Sequence, residues 1–299
     1  MTATGHLIGR DAELAALAAC LDRAAAGQGQ VVFLTGDAGI GKSALAQEFL
    51  RRAEAAGHRT LTGHAYLAEG QAPYAVVVDA VRDGLRRYRR NDRSGMTVPF
   101  GPPAGGVIDG RDDKVWLFES GYEFFGGLVP PKAALIVFLG DLQWADTAAL
   151  EFVHYLGRNL QSDRILLLVS YRREDLNRRP ALAQTLGSLR RQGHTTEITL
   201  RPLSPAEAAG LARVLPGLPA EPPPDLVEEL HERARGNPLY FIELIRATAE
   251  TGVPPGPAGG SSAPLPQLIQ DVVQSRLEGL TPVSRDSLVV AAAIGLVVP

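Results

Sequence analysis

The chain has 299 residues, 45% hydrophobic and 21% charged, with a net charge of −3. That length exceeds the ~250 residues at which single cores usually stop growing, so more than one domain is expected. The near-balanced charge supplies no global field for nucleic acid or an anionic membrane, so any DNA contact is local. A lone cysteine, Cys20, excludes an internal disulfide, and its place beside a Leu14, Leu17, Leu21 stripe in AELAALAACLDRAAA reads as packing. The opening MTATGHLIGR lacks a charged-then-apolar leader, and no run approaches the ~18 apolar residues of a membrane span. A cytoplasmic protein without a membrane partner is the expectation.

After that first helix comes the most informative feature of the sequence. The apolar run Val31 to Thr35 leads directly into Gly36, Asp37, Ala38, Gly39, Ile40, Gly41, Lys42 and Ser43, a complete Gly-x-x-x-x-Gly-Lys-Ser loop. Glycine tolerates the left-handed φ and close approach of such a turn, so the amides of Gly39, Ile40, Gly41 and Lys42 converge on one anion. Lys42 reaches the β- and γ-phosphates of a nucleotide and the Ser43 hydroxyl ligates Mg²⁺. A helix expected over residues 44–56, opening at Ala44, aims its positive end at the phosphates.

Further strands are expected over residues 59–64, 134–139, 164–170 and 196–200. LIVFL and ILLLV show no period-two alternation, so the third and fourth strands read as central, and the fold as α/β with a parallel sheet flanked by helices. Residues 91–110, rich in Gly, Pro and Arg, read as a loop. The basic cluster Arg82, Arg86, Arg87, Arg89, Arg90 and Arg93 reads as a solvated helix face and is assigned no function. A phosphate loop needs a carboxylate at the end of a neighbouring strand, and LIVFLGDLQWAD offers Asp141 for metal or attacking water. Asp146 reads as the cap of a helix over 147–160. Trp144 reads as core, and Arg172 by itself as a salt-bridge partner of Glu174 or Asp175.

Beyond Leu200 the pattern turns helical. Ser204-Pro205-Ala206-Glu207 is a capping box with proline at the first helical position. A helix over 225–235 places Leu226, Leu230 and Ala234 on one face with Gly236 as its stop, and Asn237-Pro238 opens a third. VPPGPAGGSSAPLP, residues 253–266, is a linker. Helices follow over 267–277 and 281–294, and the apolar ending GLVVP suggests a chain cut within its last domain.

Taken in order, these motifs resemble the AAA+-related signal-transduction ATPases with numerous domains, the STAND class. The likeness is strongest to the ATPase module of large LuxR-type transcriptional regulators. The resemblance rests on Leu7-Ile8-Gly9-Arg10 with Glu13-Leu14, GDAGIGKS, LQWAD, Ser170-Tyr171-Arg172, Gly236-Asn237-Pro238, and Leu265-Pro266 to Arg276-Leu277. It implies a P-loop NTPase domain over 1–202, a helical lid over 203–252, and a winged-helix start over 267–299. It also implies that Ile8, Gly9 and Arg10 lie against adenine, that Arg172 senses the γ-phosphate, and that Pro238 packs near the base. ATP and ADP with Mg²⁺ are the implied ligands, and nucleotide-dependent homo-oligomers the implied assembly. DNA would be reached only through a C-terminal domain absent from this sequence.

One departure from the family pattern has consequences. Two adjacent acids usually precede the LQWAD-type segment, and here they are Gly140 and Asp141. Successive strand side chains face opposite ways, so Asp141 does not take over the place vacated at Gly140. Either Asp141 still orients water, giving a slow ATPase switch, or the module binds nucleotide without hydrolysis. A small-molecule phosphotransferase using the same loop is the alternative from another class, with arginines from Arg86 to Arg93 but no evident acceptor-binding acid. The six histidines, His6, His58, His64, His154, His194 and His231, show no ligand spacing, and no Gly-x-Ser-x-Gly elbow is present.

Overall fold

The structure, a computed structural model, describes residues 7–66, 73–88, 111–215 and 221–251, together with Leu288. The chain divides into two compact units, one spanning Leu7–Arg201 and the other holding the chain from Pro202 onward.

The first unit is built on five strands: β1 Gln30–Thr35, β2 Arg59–His64, β3 Leu135–Gly140, β4 Ile165–Tyr171 and β5 Thr195–Thr199. All pair in parallel, in the order β2-β3-β4-β1-β5. Every residue of β1, β3 and β4 is buried, as their unbroken apolar runs require of strands covered on both faces. One face carries Val31, Phe33, Val137, Leu139, Leu167 and Val169. It packs against residues of α3 Ala75–Tyr88, α4 Arg111–Gly127, α5 Thr147–Asn159 and α6 Pro180–Arg190. The other face, with Val32, Leu34, Ile136, Phe138 and Leu168, is covered by α1 Asp11–Ala25 and α2 Lys42–Ala55. Cys20 is buried in that second layer, in the packing role read from its sequence context.

Several boundaries differ from the sequence expectation. The strands β3 and β4 run one residue further, through Gly140 and Tyr171, because the parallel ladder continues to the loops that leave the sheet. The helix α2 begins at Lys42 rather than Ala44, since Gly41 (φ 102°) is the last residue outside helical geometry. The helix α4, which the sequence reading did not name, buries Leu117, Phe118, Phe124 and Phe125. Of the basic cluster, the exposed Arg86 and Arg87 pair with Asp83, and Arg87 also with Glu54, as a solvated helix face would. Arg89, Arg90 and Arg93 lie outside the described residues, as does the expected loop over 91–110.

Gly63 in β2 shows how tightly this unit is packed. A Cβ there would lie 2.1 Å from the Val76 carbonyl oxygen and 3.0 Å from the Ala80 amide nitrogen. Both are backbone atoms of α3, which cannot rotate away. Gly63→Ala is therefore expected to push α3 off the sheet and to cost about 3 kcal/mol in chemical denaturation.

The second unit contains α7 Pro205–Val214, α8 Pro224–Ala234 and α9 Pro238–Thr251. The capping box is present as read: Ser204 Oγ accepts the Glu207 amide, and Glu207 accepts the Ser204 amide. The helix α8 buries Val227, Leu230 and Ala234, so Val227 takes the core place expected for Leu226. It ends on two left-handed residues, Arg235 (φ 50°) and Gly236 (φ 69°), one position earlier than a stop at Gly236 alone. Asn237 Oδ1 accepts the Leu239 amide and so caps α9. The linker over 253–266 and the winged-helix start over 267–299 lie outside the described residues, Leu288 aside.

Candidate nucleotide site

The loop between β1 and α2 occupies the carboxyl end of the sheet. Gly36 (φ 149°), Gly39 (φ 77°) and Gly41 (φ 102°) hold the chain in conformations that side-chain-bearing residues rarely adopt. At Gly36 space is short as well, since a Cβ would meet Ile40 Cγ2 at 3.0 Å and the Leu200 carbonyl oxygen at 3.1 Å. No side chain caps the start of α2, which leaves the amides of its first turn to a ligand. The Lys42 ammonium donates to the carbonyls of Gly36 and Asp37, both at 2.8 Å. Ser43 and Ala44 are exposed at the helix start.

Electrostatics bring distant segments to this lysine. Burial lowers the Lys42 pKa below its ordinary 10.5. The Asp141 carboxylate acts against that, Arg172 reinforces it, and Glu174 and Asp37 oppose it in turn. The ends of three adjacent strands therefore act on one charge: β1 through its loop, β3 through Asp141 and β4 through Arg172. Asp141 leaves β3 in a left-handed conformation (φ 58°, ψ 44°), an uncommon state for a non-glycine residue. Its amide donates to Ser170 Oγ at 3.1 Å. Arg172 places its guanidinium 5.7 Å from the Trp144 ring centre, and Arg179 stands 5.6 Å from the same ring. Trp144 is partly buried and packs against the main core cluster, at its margin rather than within it, with the two arginines over its ring. Asp146 accepts the Ala149 amide at 2.9 Å, the helix cap expected of it.

The other sequence-derived residues are placed less directly. Arg10, 4% exposed, donates to the Ile40 carbonyl at 3.2 Å and the Arg201 carbonyl at 2.8 Å, and pairs with Glu13 at 3.3 Å. It staples the chain start beneath the phosphate loop. Ile8 and Gly9 beside it are half-buried. Pro238 is the first residue of α9 and belongs to the second unit.

Three participants were missed from sequence. Glu174 reaches the phosphate loop, where its carboxylate accepts the Ala38 amide at 3.4 Å. A protein anion on a loop amide is a direct indication that this cradle suits a phosphate oxygen. Because it would compete with the triphosphate, Glu174→Gln is expected to tighten ATP binding about three- to tenfold by calorimetry. His64 is the second: it pairs in register with Gly140, and a Cβ at Gly140 would lie 2.5 Å from its Nδ1. The third is Gln143, whose amide donates to Asp141 Oδ1 at 2.9 Å. Glu174 and His64 carry no local sequence signal, because each is defined by a neighbour in another segment, whereas Gln143 lies inside LQWAD, two residues from Asp141, and only its bond to the Arg172 amide is non-local.

The donor set suits a hard divalent cation. Ser43 offers an exposed hydroxyl and Asp141 a half-buried carboxylate, a sparse oxygen set of the kind that leaves Mg²⁺ several waters. Among the described residues no cluster of three His, Cys, Asp or Glu side chains could hold a metal by itself. No described helix is long and apolar enough to cross a membrane.

Residues 6–169, more than half of the chain, match the AAA ATPase domain family. No curated protein matches the sequence. Among solved structures, the chain is similar to the Aeropyrum pernix ORC2 protein in its ADPNP-ADP complexes, with a TM-score of 0.56 and 17% identity. That match covers 94% of this chain and 73% of that one. Cdc6p from Pyrobaculum aerophilum gives a TM-score of 0.56 at 15% identity, covering 84% of this chain and 64% of that one. Drosophila ORC bound to DNA gives 0.52 at 10% identity, covering 100% and 77% respectively. At such identities the likeness speaks for the fold.

Proposed function

The chain belongs to the AAA ATPase domain family, and on that footing we propose that it binds ATP and ADP with Mg²⁺ as a slow ATPase switch. The observation that carries the reading is the loop at the mouth of β1, with its left-handed glycines, a helix start that no side chain caps, and a buried Lys42 whose charge Asp141 and Arg172 both influence. The loop amides and the Lys42 ammonium bind the phosphates. Arg172 reads the γ-phosphate, and the Asp141 carboxylate orients the attacking water. Ser43 and Asp141 would hold Mg²⁺, which supplies charge neutralisation at the β- and γ-phosphates. Recognition of adenine by Ile8, Gly9 and Arg10, and the part played by Pro238, rest on the family resemblance alone.

The switch would control an effector C-terminal to this chain, with transcription regulation as the output and self-association in the ATP state. A second reading, nucleotide binding without turnover, is favoured by Gly140, whose missing carboxylate is replaced by the flank of His64. Calorimetry with ATP, ADP and GTP, followed by turnover and by sizing with each nucleotide, tests the proposal. The expected result is micromolar or tighter adenine-nucleotide binding with slow hydrolysis, indifferent to small-molecule acceptors. Absence of ATP binding would sink both readings, and acceleration by an acceptor would replace them with a phosphotransferase.

A further inference from the structure

We infer that Gln143 is a positioning residue that locks Asp141 and Arg172 into one unit, so that the γ-phosphate sensed by the arginine sets the carboxylate. The inference rests on the nucleotide-site reading above and adds a part that no motif assigns. Gln143 is 1% exposed, in the short 3-10 turn Leu142–Trp144 that leaves β3. Its Nε2 donates to Asp141 Oδ1 at 2.9 Å, and its Oε1 accepts the Arg172 amide at 3.1 Å. The two partners fix the orientation of the side-chain amide: a backbone N–H only donates and a carboxylate only accepts, so oxygen must face Arg172 and nitrogen Asp141.

Each neighbouring contact acts in the same sense. Ser170, the second-last residue of β4, takes the Asp141 amide, and the Trp144 amide donates to the Asp141 carbonyl at 2.9 Å. These contacts hold Asp141 in its left-handed backbone state, which costs free energy and persists only where the surroundings over-determine it. The same turn then presents Trp144 to the Arg172 guanidinium. Two consecutive residues, Gln143 and Trp144, thus govern the carboxylate, the arginine backbone and the arginine head group. By holding Oδ1, Gln143 fixes where the second carboxylate oxygen points. A shift of the Arg172 backbone as its guanidinium engages a γ-phosphate would be passed through that amide to Gln143, and through Gln143 to Asp141.

The chemistry defines the test. Methionine matches the size of glutamine and offers neither hydrogen bond. Glutamate keeps an acceptor for Arg172 but sets a second carboxylate against Asp141. Neutral histidine again has one donor and one acceptor. ATP and ADP affinities, single-turnover hydrolysis and melting would be measured for the parent and for Gln143→Met, Gln143→Glu and Gln143→His. In Gln143→Met, ADP affinity is expected within about threefold of the parent, because Lys42 and the loop are untouched. The preference for ATP over ADP should fall roughly tenfold or more, the size of losing a hydrogen bond to a charged group, and turnover should fall with it. Gln143→His should regain most of the preference. If Gln143→Met does not fold, Gln143→Glu carries the test with the same expected loss. A folded Met or Glu variant with parental ATP preference and turnover overturns the inference, as does an equal loss of ATP and ADP affinity. A parent that binds no nucleotide overturns the inference and the site reading together, whereas a binding parent with indifferent variants overturns the inference alone.

Discussion

Lys42→Ala is expected to weaken ATP binding by about 2–5 kcal/mol, roughly thirtyfold to several-thousand-fold in Kd, with little change in melting temperature. The separation of the two effects follows from the surroundings of the lysine. In the folded protein its ammonium is buried and its pKa lowered from 10.5, mainly by desolvation. A lysine with a lowered folded-state pKa binds fewer protons in the native state than in the unfolded state. Its contribution to stability therefore rises with pH between the lowered value and 10.5, and at neutral pH the buried charge is a cost to the fold. Alanine removes that cost together with the two bonds to the Gly36 and Asp37 carbonyls. Toward the triphosphate the balance is opposite, because the ammonium is the one cationic side chain carried by the loop itself.

The same lysine sets an alkaline limit to binding. Phosphate binding favours the charged form, so nucleotide should be taken up with a proton once the pH exceeds the lowered pKa. ATP affinity should consequently start to fall at a pH below 10.5, earlier than an exposed lysine would allow. Calorimetry across the alkaline range in buffers of different ionisation heat checks this. Affinity that is flat until the chain unfolds would place the Lys42 ammonium outside the phosphate contacts.

The second large effect concerns the missing acid. Restoring it by Gly140→Asp is expected to do little alone, because the new Cβ would lie 2.5 Å from His64 Nδ1, 3.0 Å from His64 Cε1 and 3.4 Å from Phe138 Cζ. The imidazole must leave, and it is held edge-on to Phe138 at 5.6 Å between ring centres. The single variant should lose about 1–3 kcal/mol of stability through overpacking. Combined with His64→Ala, the carboxylate gains room on the α2 side of the sheet, the face that β3 presents at Phe138 and Gly140. Turnover should then rise by roughly 10²–10³, the usual worth of one electrostatic contributor. The two changes are in contact, so their effects should be strongly non-additive in a double-mutant cycle. If Gly140→Asp alone reaches the turnover of the double variant, His64 does not obstruct that position.

Much of the fold was legible because local physics decides it. Runs such as LIVFL and ILLLV are too apolar for anything but strands covered on both faces. The spacing of Gly36, Gly41, Lys42 and Ser43 has one economical use at the end of a strand, and Ser204 with Glu207 satisfies helix-end amides without outside help. Boundaries slipped by a residue or two, at Gly140, Tyr171 and Lys42, because ladder continuation and a left-handed glycine end these elements and leave no mark on hydrophobic periodicity.

By itself, then, the amino-acid order determined that a phosphate loop follows a buried strand and that Asp141 and Arg172 stand at the ends of two others. Only the tertiary structure decided which residues meet there. The order β2-β3-β4-β1-β5 sets β4 between β3 and β1, so Asp141 and Arg172 share one side of Lys42, while β2 brings His64 against Gly140. Side chains 29 or 76 positions apart in sequence come within a few ångströms through strand pairing. Gln143 on the Arg172 amide and His58 on the Ala134 amide are two such cases. Strand order is settled by the summed burial of both sheet faces, a property of the whole unit that no window of the sequence contains.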